Sequence, residues 1–325
     1  MISKLLTSFW CKFLFRGISI LYFLSLAACA SPPQPQPTQP ILILPKTPTL
    51  TDIPNTPTPA PTLRPTAIPT NTITPLNLQP QVVVLANDFL EPDDLVLAPD
   101  GSVYISDVAA GTIKQYTQDG RLNLVLSGLS SPEGMAFLPD GSMIIAEQGT
   151  NRLLRYDFAS STLVPFLDLV NNTGQLGVDG IFWNGSELIV PDSPNGTVLA
   201  VSADGNSVRQ MASGLARPTG AWIDPIGNLL IADENGNAIF RLHLDGTLEQ
   251  VASVSVPDDV VADSNGNFFV VTIGDNAVHL ITAQDNRDIV LVSGLIDPQG
   301  IIFDVDGNLI VTDSGNHQLL KILIH

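Results

Sequence analysis

The chain repeats itself. In Asp297 to Ile324, DPQGIIFDVDGNLIVTDSGNHQLLKILI, apolar runs at Gly300–Asp304, Leu309–Thr312 and Gln318–Ile324 alternate with clusters of Asp, Gly, Asn and Ser. Such clusters suit turns, and Val305-Asp306-Gly307-Asn308 has the residue chemistry of a two-residue hairpin turn. A three-strand meander with one greasy face is not stable alone in water, so it needs neighbours of its own kind. The same sequence supplies them. Aligned on the residue two before Gly300, copies begin at Pro92, Pro132, Val178, Pro218, Pro257 and Pro298, spaced by 40, 46, 40, 39 and 41 residues. Each anchor opens a run such as DDLVLA, EGMAFL or QGIIFD, and a turn and a second run such as VYISD, MIIAE or LIVTD follow. A third run alternates, and a fourth follows in five of the six copies.

Six four-stranded repeats of this length predict an all-β fold, a six-bladed β-propeller of antiparallel blades. The last copy has only three strands, while a lone strand, Gln81–Ala86, precedes the first copy. Pairing that strand with the last blade closes the ring and removes the unpaired edge that would invite aggregation. An open solenoid is the alternative, but it has no use for a leading strand. The propeller is expected over residues 81–325.

The first 28 residues read as a targeting segment. Lys4, Lys12 and Arg16 flank an apolar run, Gly17–Ala28, that is short for a membrane-spanning helix. Leu26-Ala27-Ala28-Cys29 follows. It resembles the bacterial lipobox, which implies acylation of Cys29 and a lipoprotein anchored to the membrane, facing outside the cytoplasm. Residues 31–80 hold 15 Pro and 11 Thr, so residues 29–80 read as the lipidated Cys and an extended, disordered linker. The chain's two Cys are Cys11 and Cys29, leaving none for a disulfide or a thiolate metal site after residue 29.

Charge divides at the same boundary. Residues 1–80 carry +4 and residues 81–325 carry −22, which together give the net charge of −18. An acidic globular part excludes nucleic acid and anionic lipid headgroups as partners. A monomer is expected, touching the membrane through its lipid alone.

Leu309–Leu319, LIVTDSGNHQL, resembles the NHL repeat, and Leu229–Ile239, LLIADENGNAI, is a second copy. The likeness extends to the regucalcin/gluconolactonase type of six-bladed propeller. That resemblance implies a divalent metal held by Glu, Asn and Asp in the channel, with lactones or related esters as substrates. The family's Pro-Asp-Gly aspartate corresponds to Asp258, its Asn before Gly to Asp179, and its N-terminal Glu, loosely, to Glu91.

The residues themselves point to the same place. In a propeller the first strand of each blade lies nearest the axis. The residue after each anchor, namely Asp93, Glu133, Asp179, Thr219, Asp258 and Gln299, is expected at one mouth of the channel. Four of these six are acids and none is basic. Converging carboxylates repel unless protons or a cation intervene, and an all-oxygen set suits Ca²⁺ or another hard divalent cation. Asp93, Glu133, Asp179 and Asp258 are the candidate metal ligands, with Asp258 also the candidate catalytic base. Solvated turn residues capping strand ends are the competing reading.

Asp94 and Asp259 stand where the other four repeats have Gly. They read as strand-start variants or as part of a cation site. The acids ending the second strands, Asp107, Glu147, Asp192, Asp233 and Asp313, are expected to accept backbone hydrogen bonds from the turns they precede. His243 and His279 fall on third strands, His317 in a turn and His325 at the terminus, so a channel His of the streptogramin-lyase kind is not expected. Nor is a serine hydrolase, since the nucleophile elbow Gly-x-Ser-x-Gly is missing. Trp183 and Trp222 read as core.

Two functions remain. The anchor and stalk favour a binding or interaction module for a protein, glycan or small molecule. The acidic mouth favours a divalent-metal-dependent hydrolase of lactones or small esters.

Overall fold

The computed structural model describes residues 80–171 and 173–324. The targeting segment, Cys29, the Pro/Thr-rich linker up to residue 79, and His325 lie outside the described residues.

Six four-stranded antiparallel sheets form the fold. Their inner strands are Pro92–Leu97, Pro132–Phe137, Phe182–Trp183, Pro218–Ile223, Pro257–Ala262 and Pro298–Phe303. These define blades one to six. The strand Gln81–Ala86 pairs antiparallel with Gln318–Leu323, with Val82 opposite Ile322 and Val84 opposite Leu320. The last sheet is thereby completed from the front of the chain, as the repeat count requires.

Burial explains the sequence pattern. In all six blades the five residues of the second strand, from VYISD to LIVTD, are buried. Each blade packs a neighbour on both faces, so these strands read as near-continuous apolar runs. The fourth strands form the rim and are largely exposed, as in Leu122–Ser127 and Asp288–Ser293. One inter-blade core gathers Val261, Phe269, Ile301, Leu309 and Ile322. Another holds an aromatic knot in which Tyr104, Phe137 and Tyr156 pack around Phe158, with Tyr156 edge-on at 4.7 Å.

In five blades the turn between first and second strands is one residue longer than a two-residue loop; in blade three, Asn184 N donates to Glu187 O at 3.1 Å and leaves the two-residue loop. Asp304 N donates to Asn308 O at 2.8 Å and Gly307 N to Asp304 O at 3.1 Å. Within Val305-Asp306-Gly307, Gly307 alone is left-handed, at φ +83°. This is a type I turn closed by a left-handed Gly, the three-residue hairpin. The Asp304 carboxylate selects it by accepting the amides of Asp306 (2.9 Å) and Asn308 (2.8 Å).

A bulge recurs at the start of five inner strands. Pro92 pairs with Asp107 and Leu95 with Ile105, so Asp93 and Asp94 together oppose one residue. The same shift follows Pro132, Pro218, Pro257 and Pro298. A bulge bends its strand and re-aims a side chain. Here it frees the residue after each of these five anchors from the ladder, while Asp179, after Val178, precedes its short inner strand altogether.

Candidate functional site

The inner strands crowd one another around the axis. Gly134 N donates to Asp179 O of the next blade at 3.2 Å. A Cβ on Gly134 would lie 2.4 Å from Ile181 N, and one on Gly300 would lie 2.8 Å from Asp93 O. Gly at the second position lets neighbouring backbones approach this closely, and that closeness brings the bulged residues together.

Asp93, Asp179 and Asp258, from blades one, three and five, each bring a carboxylate oxygen within 4.8 Å of the others. Asp179 and Asp258 are buried and Asp93 half-buried. Glu133, also buried, stands beside them with a side-chain hydrogen bond to Asp93. Of the remaining mouth positions, Thr219 turns its hydroxyl to the Asp258 carbonyl at 2.6 Å, and Gln299 is half-buried. Glu91, the loose counterpart of the family's N-terminal Glu, is exposed. Asp93 supplies the third carboxylate instead.

Burial sets the protonation of this group. Asp93 is pushed up to about 7 by burial; the bond to Glu133 opposes the rise, and the charge of Asp179 adds to it. Glu133 rises well above the usual carboxylate range, through burial and then the charge of Asp93. Burial also lifts Asp258 far up, with Asp179 and Asp93 repelling its charge. Asp179 rises only to about 6, because Arg217 opposes the effect of burial.

Arg217 is the residue that reading the repeats did not find. It precedes the blade-four anchor, where the other copies carry Glu91, Ser131, Gly177, Val256 and Asp297. It is buried, donating through Nη2 to Asp179 Oδ2 at 2.5 Å and through Nε to Glu234. Its Nη1 is buried without a hydrogen-bond partner. A lone Arg outside the repeated positions was its only signal. Gln148 adds a donor, Nε2 to Asp179 Oδ2 at 3.4 Å.

Asp94 and Asp259 hold the next layer down. Asp94 Oδ1 accepts Leu95 N at 2.6 Å, and Asp259 accepts Val260 N at 2.8 Å and Ile301 N of blade six at 3.1 Å. They therefore shape strand starts, and Asp259 also ties two blades together. Burial raises both, Asp259 to about 7.

The acids ending the second strands are structural, but their backbone donors come from an unexpected place. Asp107 accepts Leu90 N and Glu91 N, Glu147 accepts Ser130 N, Asp233 accepts Ala216 N and Arg217 N, and Asp313 accepts Ile296 N. These amides belong to the connection entering the blade, not to the turn that follows the acid. Asp192 differs, accepting from the side chains of Asn195 and Thr197 in its own turn and third strand. The longest connection, between Asp168 and Phe182, is pinned by Asn151, whose side chain donates to Leu169 O and accepts Val178 N.

None of the described histidines is hydrogen-bonded to a mouth acid. His243 bonds Glu249, His279 bonds Asp275 and Asp288, and His317 Nδ1 donates to the Leu90 carbonyl. Trp183 and Trp222 are half-buried: each packs against an inter-blade core, as expected, and each also lines a cavity.

Comparison with known proteins agrees with this architecture. Residues 94–312 match the family described as SMP-30/Gluconolactonase/LRE-like region. A search of curated proteins finds no match. Among solved structures the chain is similar to a gluconolactonase from Xanthomonas campestris (TM-score 0.63, 17% identity, 75% of this chain and 89% of that one). It is similar to regucalcin, a calcium-binding protein from Agrobacterium tumefaciens (TM-score 0.62, 17% identity, 74% and 92%). It is also similar to virginiamycin B lyase from Staphylococcus aureus (TM-score 0.59, 15% identity, 76% and 99%). At these identities the structural likeness speaks for the fold.

Proposed function

We propose that this chain, which belongs to the SMP-30/gluconolactonase/LRE-like family, is a membrane-tethered hydrolase of lactones or small esters. Its divalent cation would be held by Asp93, Asp179 and Asp258. The observation that carries this reading is the convergence of three carboxylate oxygens within 4.8 Å in a buried mouth. The donor set fits: it is all oxygen, and its members repel one another until positive charge arrives. Ca²⁺ is the cation such a set suits best.

A bound cation supplies Lewis acidity at the ester carbonyl. The chain's own residues do the rest. With a cation bound, Asp258 would be held in its carboxylate form and placed to take the proton of an attacking water. Glu133, whose carboxyl burial and the Asp93 charge raise above the usual range, would be the group to give a proton to the departing alkoxide. Arg217 holds Asp179 in position.

The tether is part of the proposal. Cys29 carries the lipid, the Pro/Thr linker gives reach, and the head works outside the cytoplasm as a monomer. At ~3.1 Å per residue the linker spans on the order of 150 Å when extended.

A second reading has its own support. The bond between Glu133 and Asp93 and the Arg217–Asp179 pair already offset much of the mouth's charge. A metal-free mouth binding a polar ligand is therefore a coherent alternative. Thermal melting of the purified chain with millimolar Ca²⁺, Mn²⁺ or Zn²⁺ separates the two. The hydrolase reading expects the midpoint to rise, the rise to vanish in Asp258→Asn, and turnover of a simple lactone to stop with a chelator. An unchanged midpoint with every metal removes that reading and leaves the metal-free one.

A further inference from the structure

The channel has a second half that the acidic mouth does not use. Along each inner strand the anchor's neighbour sits at the mouth, and the strand's last residue lies four positions further. At ~3.3 Å per residue that is about 13 Å away. There the channel opens into a cavity of ≈ 440 Å³. Phe137, Phe182, Trp183, Trp222 and Phe303 contribute its aromatic wall. All five rings are half-buried, and Phe182 lies 4.7 Å from Trp222, centroid to centroid. The cavity's inner end is closed by the side chains of Asp94 and Asp259, the two residues that replace the Gly of the other blades. Asp94 reaches across the axis toward Gly180 of blade three, while Asp259 abuts Gly220 of blade four.

We propose that this chamber is a second ligand site that takes a small organic cation bearing an aromatic or bulky apolar group. Its volume suits a compact organic ligand. No Lys, Arg or His is among the described residues that line it. The rim acid Asp304 is already paired with Lys321 at 2.5 Å, so Asp94 and Asp259 are the acids left for a ligand.

Other chemistries fit less well. Two carboxyls offer an anion no positive charge to pair with. A neutral apolar molecule would seal them behind it with no counter-charge. A bare metal ion would meet aromatic carbon on most sides, where hard cations need oxygen. An organic cation meets both features: its charge faces the carboxyls and its apolar body lies on the rings, which themselves attract cations.

The chamber carries its own reporter. The chain has three Trp, and Trp183 and Trp222 both line the cavity. In the full chain with Trp10→Phe, intrinsic fluorescence reads this chamber alone. Titration with benzyltrimethylammonium is expected to give a saturable fluorescence change. Benzyl alcohol and phenylacetate, which share the ring but lack the positive charge, are expected to bind at least about tenfold more weakly. Asp94→Asn with Asp259→Asn should weaken the cation by a similar factor, and Asp93→Asn at the acidic mouth, which removes only a neighbouring charge, should weaken it far less.

Equal binding of the three probes would reduce the chamber to an apolar hole and overturn the proposal. So would fluorescence that stays flat up to about 50 mM cation, a concentration reached only by very weak binders. Loss of the response in Asp93→Asn would place the cation at the mouth and overturn the proposal as well. The probe series on the parent chain decides the matter even if the double variant fails to fold.

Discussion

Arg217 Nη2 and Asp179 Oδ2 meet at 2.5 Å inside a mouth otherwise made of acids. The pair is buried on both sides, and Glu234 holds the guanidinium from behind. Breaking such a pair strands a buried charge, at a cost of about 3–5 kcal/mol. Arg217→Met is expected to lower the melting temperature of the metal-free chain. Arg217→Lys should recover little, because an ammonium does not reproduce the two-armed contact. Arg217→Met should also tighten divalent-cation binding, since it removes the competing positive charge. Calorimetric titration with Ca²⁺ checks the second effect, and a thermal melt checks the first.

Stability should fall as pH rises through the neutral range. Burial holds Asp93 and Asp259 near 7, against 3.8 for an ordinary Asp, and Asp179 near 6. Between pH 3.8 and 7 the folded chain therefore binds more protons than the unfolded one. Stability from these groups is present at the acid end of that window and is lost as pH climbs through it. Each pK unit corresponds to about 1.4 kcal/mol. The metal-free chain should melt higher at pH 5 than at pH 8. Asp93→Asn should flatten the profile, and so should saturating Ca²⁺ if the mouth binds it. Melts across pH 5–8 test all three expectations.

Ring closure makes a sharper demand. Removing residues 81–86 leaves Gln318–Leu323 as an open edge with unpaired backbone groups. The truncated chain should melt lower and self-associate, measured by light scattering. Ala at Val82 and Val84 should do less, because both are exposed and the backbone pairing survives.

In the tethered reading proposed above, membrane attachment rests on one atom, the sulfur of Cys29. Cys29→Ser should abolish labelling by a fatty-acid analogue and move the chain from the membrane fraction to the soluble one. Retention in the membrane would point instead to an uncleaved apolar N-terminus.

The blades were legible because each second strand is buried on both faces, and that requirement is written six times as an unbroken apolar run. The closing strand was legible by arithmetic, one strand missing at one end and one spare at the other. The mouth acids were legible because the bulge places them at a fixed offset from each anchor. Arg217 was not, since it occurs once and no copy predicts it. Turn length was missed for a related reason. Asp306-Gly307 suits two kinds of hairpin, and the choice is made by the Asp304 side chain binding Asp306 N and Asn308 N. Trp183 and Trp222 have the composition of core and pack against it, and they also sit at strand ends where the inner strands run out to the cavity.

The pairing of Gln81 with Leu323 also decides where tension is felt. Any pull transmitted down the polypeptide toward Pro80 arrives first at that contact, at the end where Leu323 also leaves its strand. Load applied there meets hydrogen bonds one pair at a time, not all together. Under the proposed tether, a membrane drawing on the front of the chain would therefore open blade six before any other.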